Sequence, residues 1–183
     1  MDLYEEALYA QAVRERQRRV AMQREIELRK QRQIEAMMQR MAIESAMRRG
    51  EIFGMTWGDV HKNHVHLPVT KTDDPRDVPL SPIMRELLAC LSSFDKHDKK
   101  DNLFVINVES FKSAFDRASA KAGVKDLQFR DTRHEAISRF VRVQKLSVEH
   151  VAKITGHKKI ETLLNVYYNP TADELYDAMY GDK

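Results

Sequence analysis

The sequence predicts a mainly α-helical fold with one small antiparallel β-sheet. Residues 1–47 contain no glycine or proline and are rich in alanine, glutamate, glutamine, arginine and methionine, which all favour helices. Residues 57–81 instead contain two short β-prone segments separated by a turn. From Ser81 to the C-terminus, residues that start helices alternate with glycine and proline residues that stop them.

Composition indicates one ordinary globular domain. The chain has 183 residues, of which 42% are hydrophobic and 32% are charged, with a net charge of +3. It contains no apolar run of membrane-spanning length and no signal-peptide pattern, so we expect a cytoplasmic protein. Its single cysteine, Cys90, cannot form an internal disulfide and is predicted to pack as a small apolar residue.

The N-terminal helix changes character along its length. Ile26, Ile34, Met38 and Met41 recur at helical spacing, which predicts that the second half packs on a core. Apolar residues are sparser before Ile26, while residues 14–32 are strongly basic. We therefore predict a charged helical extension or linker over residues 1–25 and a folded domain over residues 26–183. The extension has three interpretations: a solvated helix, an oligomerising helix or a DNA-contacting helix.

The middle of the chain predicts a β-hairpin. The segments "HVHLPVT" and "RDVPL" flank "KTDDP", whose aspartate and proline residues favour a turn, and this arrangement places Lys71 near the tip. His64 and His66 alternate with apolar residues and so share one face of the first strand. Two histidines without a third ligand are more typical of exposed polar residues than of a metal site, so no metal is predicted.

Six helices are predicted in the C-terminal half. One is the segment "IETLLNVYY", which Asn169-Pro170 stops. The other five begin at capping residues, and two of them lie in capping boxes that end in glutamate. The predicted caps are Ser81, Ser110, Thr132, Ser147 and Thr171.

The segment "LQFRDTRHEAIS" places Arg130, Arg133 and His134 within five residues. If Thr132 is the N-cap, Arg133 lies in the first helical turn, where unpaired backbone N–H groups and the helix dipole favour an anion. Cations are normally disfavoured there, so this cluster predicts a phosphate ligand. The alternative is structural: Arg130 pairs with a nearby aspartate, and Arg133 with a carboxylate elsewhere.

Other motifs give this cluster a context. Arg48 lies three residues before Glu51, Lys71 lies in the hairpin before "RDVPLS", and Gly156-His157 precedes a pair of tyrosines. In this order, from about residue 34 to the C-terminus, the series resembles the catalytic domain of the tyrosine recombinases, the phage integrase family. The resemblance implies the fold of the tyrosine recombinase catalytic core. The family also has an N-terminal core-binding domain, which we expect to be absent from this chain.

The resemblance also implies roles for individual residues. It identifies the catalytic set as Arg48, Lys71, Arg130, Arg133, His157 and Tyr167, with Tyr168 as the second choice for the nucleophile. The chemistry suits these residue types. Arginines offset the charge that grows on the phosphate, tyrosine forms a 3′-phosphotyrosyl intermediate that conserves the bond energy, and lysine protonates the leaving oxygen. Neither metal, ATP nor another cofactor is implied.

Two positions depart from the family pattern. Arg130 occupies a position that is usually histidine, and arginine cannot exchange a proton near neutral pH. Either the enzyme tolerates a fixed cation there, or its activity is weakened. Ser45-Ala46 stands where relatives commonly have Thr-Gly, which predicts a less sharp helix junction before Arg48.

The resemblance implies a site-specific DNA recombinase or integrase encoded by a phage or mobile element. Its implied partner is double-stranded DNA at a recombination site, bound by a homo-oligomer that forms a tetramer in the synapse. Alternatives remain: a catalytically impaired DNA-binding module of the same fold, an enzyme similar to telomere resolvases or type IB topoisomerases, and a helical interaction protein.

Overall fold

The computed structural model describes residues 3–68 and 74–181, and this part of the chain confirms a mainly helical fold with a small antiparallel sheet. Within these residues, two strands and a short 3-10 helix, Trp57–Asp59, lie between the second and third of eight α-helices. The strands are β1 His64–Leu67 and β2 Arg76–Pro79. The helices are α1 Leu3–Ser45, α2 Arg49–Gly54, α3 Pro82–Ser92, α4 Val108–Lys121, α5 Phe129–Arg142, α6 Val148–Thr155, α7 Ile160–Tyr167 and α8 Ala172–Tyr180.

The long helix α1 is only half packed against the domain. Its C-terminal half contacts α3, α4 and α5, and Met38 and Met41 are fully buried there. Lys30 Nζ lies 2.5 Å from an oxygen of Asp95, which ties the middle of α1 to the segment after α3. The prediction that Ile26 joins the buried face is wrong: 59% of Ile26 is exposed, because packing begins about one turn later. The proposed boundary after residue 25 stays a prediction.

The predicted hairpin is present. β1 and β2 pair antiparallel, with Val65 opposite Val78 and Leu67 opposite Arg76, and these side chains face the core. On the other face, His66 Nδ1 lies 2.8 Å from an oxygen of Asp77. Lys71 lies outside the described residues. In the described part of the chain, no three His, Cys, Asp or Glu side chains form a group suited to a metal ion.

Two apolar clusters meet near the end of α1. The larger one joins the second half of α1 to α2, the hairpin, α3 and the first turn of α4. The smaller one lies among α5, α6 and α7, where Ile137, Phe140, Val151 and Leu163 are buried. Residues 46–51 follow α1 at the junction of these clusters, which positions Arg48 close to α5 and α6.

Three predicted helix caps are confirmed. The Ser81 hydroxyl accepts from Met84 N, the Ser147 hydroxyl from the backbone of α6, and the Thr171 hydroxyl from the backbone of α8. Gly156 ends α6 with a φ of 73°, a left-handed conformation that glycine adopts at little cost. These ends therefore follow from local chemistry that the sequence reveals.

The predicted start of α4 is wrong. The helix begins one turn earlier, because the Asn107 side chain accepts from Glu109 N and Ser110 N. Ser110 instead lies inside the helix and donates to the buried carboxylate of Glu35 at 2.9 Å. Ser110, which the sequence alone predicts as a helix cap, is therefore used in a tertiary contact with α1 instead.

The predicted start of α5 is also wrong. Asp131 accepts from the backbone N–H of Gln128 at 2.7 Å, so the helix begins at Phe129. The Thr132 hydroxyl donates to Phe129 O within the helix. Arg133 consequently lies in the second turn, where the helix dipole acts less strongly on a bound anion than it does in the first turn.

The junction after α1 is sharper than predicted. Ala46 has a φ of 55°, a left-handed conformation that alanine adopts only at a cost, and it is fully buried. The chain therefore turns abruptly between α1 and Arg48 although residue 46 is not a glycine.

One further expectation about packing differs from the structure, because Cys90 is exposed rather than packed in the core. The apolar residues of α8 are exposed as well: Leu175, Tyr176, Met179 and Tyr180. None of the described helices is long and apolar enough to cross a lipid bilayer.

Candidate active site

Arg133 joins three segments of the chain. From the second turn of α5 it donates through Nη1 to Ala46 O at 2.5 Å and through Nη2 to Thr155 O at 2.7 Å. Burial, with a further effect of the Arg48 charge, lowers the pKa of Arg133 to about 10. A half-buried cation close to another cation is stabilised by an anion, so this place favours phosphate binding.

Glu51 is shared by two arginines. One oxygen accepts from Arg48 Nη1 at 3.0 Å, and the other accepts from the Arg48 backbone N–H at 2.6 Å and from Arg76 Nη2 at 2.7 Å. Only 5% of the Glu51 side chain and 6% of the Arg76 side chain are exposed. The Arg48 side chain, by contrast, is 40% exposed and remains accessible to a ligand.

The last turn of α6 is held by arginine side chains. Arg76 Nε donates to Ile154 O at 3.0 Å, while the next carbonyl, that of Thr155, accepts from Arg133. Cations at the C-terminal end of a helix satisfy its last carbonyl groups and complement its dipole. A Cβ at Gly156 would lie 3.1 Å from Arg76 Nη1, so glycine also allows this close packing. The arrangement positions His157, the next residue.

His157 is neutral at physiological pH. Its pKa is lowered to about 4, first by burial and then by the nearby charges of Arg133, Arg48 and Arg76. Its Nδ1 lies 2.6 Å from the Thr155 hydroxyl, which itself donates to Val151 O. The network therefore assigns the single proton of the neutral ring to Nδ1 and leaves Nε2 as an acceptor. Only the doubly protonated ring could donate to a phosphate through Nε2.

The two adjacent tyrosines differ in their surroundings. The Tyr167 hydroxyl contacts His134 Nδ1 on α5. The Tyr168 hydroxyl donates to Leu146 O at 2.6 Å, in the segment between α5 and α6, and thus has a structural partner. Burial raises the pKa of Tyr167, and the charge of Arg133 partly offsets this rise. Tyr167 is therefore the tyrosine near the arginine cluster.

A concave surface lies beside these residues. It is a cavity of about 580 Å³ that Arg48, Arg130 and Arg133 line together with the aromatic rings of Phe115 and Phe129. Arg130 is 74% exposed at its side chain, and its Nε lies 4.0 Å from an Asp131 oxygen, so the sequence-adjacent carboxylate holds it only weakly. Three of the cations predicted from the sequence thus share one surface.

The structure brings together most of the residues predicted for the site. Arg133 interacts electrostatically with Arg48, His157 and Tyr167, and Arg48 also interacts with His157. Lys71 lies outside the described residues. Sequence reasoning overlooked Arg76, although an arginine two residues from Val78 on the buried face of a strand signals an ion pair.

His134 has a partner that the sequence does not indicate. Its contact, Tyr167, is 33 residues away on another helix. No local pattern connects them, so only the packing of α7 on α5 reveals the pair.

The fold and the clustered side chains together define the catalytic domain of a tyrosine recombinase. Residues 12–174 match the phage integrase family, and the chain belongs to that family. The resemblance predicted from the motif order is therefore confirmed.

Known relatives agree with this assignment. The chain is 38% identical over 125 residues to a shufflon-specific DNA recombinase of Escherichia coli, an alignment that covers 67% of this chain and 32% of the relative. Two solved structures share the fold. The XerA recombinase has a TM-score of 0.61 and 18% identity over 78% of this chain and 55% of its own. The Tn1549 transposon integrase, solved in complex with a circular intermediate DNA, has a TM-score of 0.59 and 16% identity over 79% of this chain and 57% of its own.

The chain spans about a third to a half of the length of the curated relatives that it matches. The activity of a whole recombinase is therefore a proposal for this chain.

Proposed function

We propose that the chain is the catalytic part of a site-specific DNA recombinase that cleaves and rejoins double-stranded DNA through a 3′-phosphotyrosyl intermediate. One observation carries this proposal: the Tyr167 hydroxyl contacts His134, the neighbour of Arg133 on α5, and Arg133 donates to the carbonyl of Ala46, two residues before Arg48. A nucleophile next to paired guanidinium groups suits attack on a phosphodiester, whose negative oxygens otherwise repel it.

In the proposed reaction, the phenolic oxygen of Tyr167 attacks the scissile phosphorus and loses its proton. A bond forms between this oxygen and phosphorus, and the bond from phosphorus to the 5′-oxygen breaks. Lys71, by resemblance to the family, protonates the departing oxygen. The phosphotyrosyl ester keeps the energy of the broken bond, so the same steps in reverse rejoin a strand without ATP.

The arginines and the histidine have separate proposed tasks. Arg48 and Arg133 hold the non-bridging oxygens and offset the charge of the pentavalent transition state. His157 donates to the same phosphate once it is protonated, which the arriving anion favours. Arg130 adds a further cation at the edge of the cavity, where it is exposed to an incoming backbone.

The proposed partner is double-stranded DNA at a recombination site, bound by several copies of the protein that form a tetramer in the synapse. The DNA-bound Tn1549 integrase, which shares the fold, supports DNA as the partner. The exposed arginine-rich first half of α1 adds positive charge that suits a phosphate backbone.

The proposal is tested by whether the protein forms a covalent adduct with DNA. The protein is incubated with nicked duplexes taken from the DNA that flanks its gene, and the products are separated under denaturing conditions. We expect wild type and Tyr168→Phe to form a protein–DNA adduct and Tyr167→Phe to form none. An adduct that persists in Tyr167→Phe and is lost in Tyr168→Phe would reverse the choice of nucleophile.

A second candidate is a DNA-binding module of the same fold without turnover. Arg130 favours it, because a residue that cannot exchange a proton occupies a position where relatives keep histidine. Duplex binding without an adduct in any variant would support this candidate over the recombinase.

A further inference from the structure

His134 and Tyr167 form a contact between two helices of the second apolar cluster. The Tyr167 hydroxyl at the end of α7 meets His134 Nδ1 on α5, and the two rings lie 6.0 Å apart at an angle of 28°. The imidazole is exposed, so a substitution there leaves the core intact. In the tautomer that leaves Nδ1 without a proton, this nitrogen accepts a hydrogen bond and the phenol is the donor.

The surroundings explain why Tyr167 requires a proton acceptor. Burial disfavours the phenolate and raises the pKa of Tyr167, and the charge of Arg133 offsets only part of this effect. Among the described residues, Tyr167 on α7 contacts the His134 ring, His157 after α6 interacts with it electrostatically, and Arg130 lies one helical turn before it on α5. His134 is the base in contact with the phenolic oxygen.

Arg130 and His134 lie four residues apart and therefore project from the same face of α5. Arginine at position 130 retains its charge and cannot take a proton, whereas imidazole accepts one near neutral pH. We propose that His134 is a catalytic residue that accepts the phenolic proton of Tyr167 during strand cleavage. It thereby supplies the proton transfer that Arg130 cannot. This inference rests on the proposed recombinase function.

The proposed proton transfer between Tyr167 and His134 is balanced in protons and in charge. As the bond from the Tyr167 oxygen to phosphorus forms, its proton moves to His134 Nδ1 and the ring becomes an imidazolium. The positive charge stays beside the phosphate, where it adds to that of Arg133. During rejoining, the imidazolium returns the proton to the phenolic oxygen as that oxygen leaves phosphorus, so the site is restored without an external acid or base.

The test compares His134→Asn with wild type. An asparagine amide oxygen can lie where Nδ1 lies and accept a hydrogen bond, but it cannot take a proton. With DNA at saturation, we expect the rate of adduct formation to fall by about 100-fold, the lower range for general base catalysis, with unchanged DNA affinity. The matched control is His150→Asn, an exposed histidine on α6 whose Nδ1 contacts the Ser147 hydroxyl at 3.3 Å. Its rate should equal that of wild type.

Two further measurements separate proton transfer from a structural role. His134→Asn should flatten the dependence of the cleavage rate on pH, because asparagine has no group that takes up a proton. Arg130→His in the His134→Asn background should recover part of the rate, because it returns an imidazole to the same helix face. A His134→Asn rate within about threefold of wild type would overturn the inference, since general base catalysis contributes far more than that.

The contact between His134 and Tyr167 can also be tested without DNA strand cleavage. Imidazole ¹⁵N resonances of the full chain report whether Nδ1 of His134 is an acceptor. We expect this resonance to shift in Tyr167→Phe and not in Tyr168→Phe. No shift in Tyr167→Phe would overturn the inference even in an active enzyme, whereas no wild-type adduct would overturn the proposed function and the proton transfer with it.

Discussion

Arg76 Nη2 lies 2.7 Å from Glu51 Oε2, and the two side chains are 6% and 5% exposed. This pair links the hairpin to α2, and through the other Glu51 oxygen it extends to Arg48. Because Arg76 also donates to Ile154 O, it joins the segment of Arg48 to the turn that carries His157. Arg76 thus supports Arg48 and His157, which we propose contact DNA, without itself needing to contact DNA.

Removing one partner of this pair should destabilise the fold. Arg76→Met leaves the Glu51 carboxylate buried with one fewer partner, so we expect the free energy of unfolding to fall by about 3–5 kcal/mol. Urea denaturation measures the loss. The control Arg29→Met, from an ion pair whose side chains are 73% and 63% exposed, should cost less than about 1 kcal/mol.

A double-mutant cycle tests the assignment of this loss to the pair. Arg76→Met combined with Glu51→Gln should cost less than the sum of the two single changes, because no unpaired charge remains buried. Additive losses would contradict a direct interaction between the two side chains.

Substitution of Ala46 by glycine and by valine should have different effects on the free energy of unfolding. Ala46→Gly relieves a left-handed backbone but loses a buried methyl group, so the free energy of unfolding should change by less than about 1 kcal/mol. Ala46→Val places a β-branched side chain in the same conformation and in a filled core, and should cost more than about 2 kcal/mol. Thermal and urea denaturation of the two variants give the comparison. Equal changes in the free energy of unfolding would contradict a left-handed backbone at residue 46.

The low pKa of His157 predicts how stability depends on pH. An unperturbed histidine titrates near 6.5, whereas His157 in the folded chain titrates at about 4. Between these values the unfolded chain takes up a proton that the folded chain does not. The free energy of unfolding should therefore decrease as pH falls from about 6.5 to about 4, with no contribution from His157 above that window.

Urea denaturation across this pH range measures the effect. His157→Gln should show a shallower decrease than wild type, and His150→Gln, an exposed control, should match wild type. Inorganic phosphate should raise the pKa of His157 in NMR titrations, because an anion between Arg48 and Arg133 favours the imidazolium. A pKa that does not change at saturating phosphate would count against an anion site beside this ring.

Arg130→His should preserve or raise the rate of strand cleavage, because it places a titratable group where relatives have one. The side chain at position 130 is 74% exposed, so the free energy of unfolding should change by less than about 0.5 kcal/mol. Arg49→His, which removes a neighbouring cation from the same cavity, is the control for loss of charge and should not raise the rate. A large loss in Arg130→His alone would show that arginine itself is required there.

Local chemistry explains what the sequence predicted correctly. The hairpin, three helix caps and the end of α6 at Gly156 depend on residues close together in the chain, whose preferences act over one turn. The starts of α4 and α5 were wrong because a competing cap lay one turn upstream in each case, at Asn107 and at Gln128 with Asp131. Ser110 was unavailable as a cap because a carboxylate on α1 binds it.

By itself, the sequence determined the class of fold and the order of the motifs that places the chain in its family. Tertiary structure decided which tyrosine approaches the arginine cluster, because Tyr167 and Tyr168 are chemically identical and differ in the partners that their hydroxyl groups reach. It also decided that Arg133 holds two backbone carbonyls, that Arg76 shares Glu51 with Arg48, and that His134 contacts Tyr167. These relationships join residues far apart in the chain. Their distances are therefore set by how the helices pack, which no local pattern encodes.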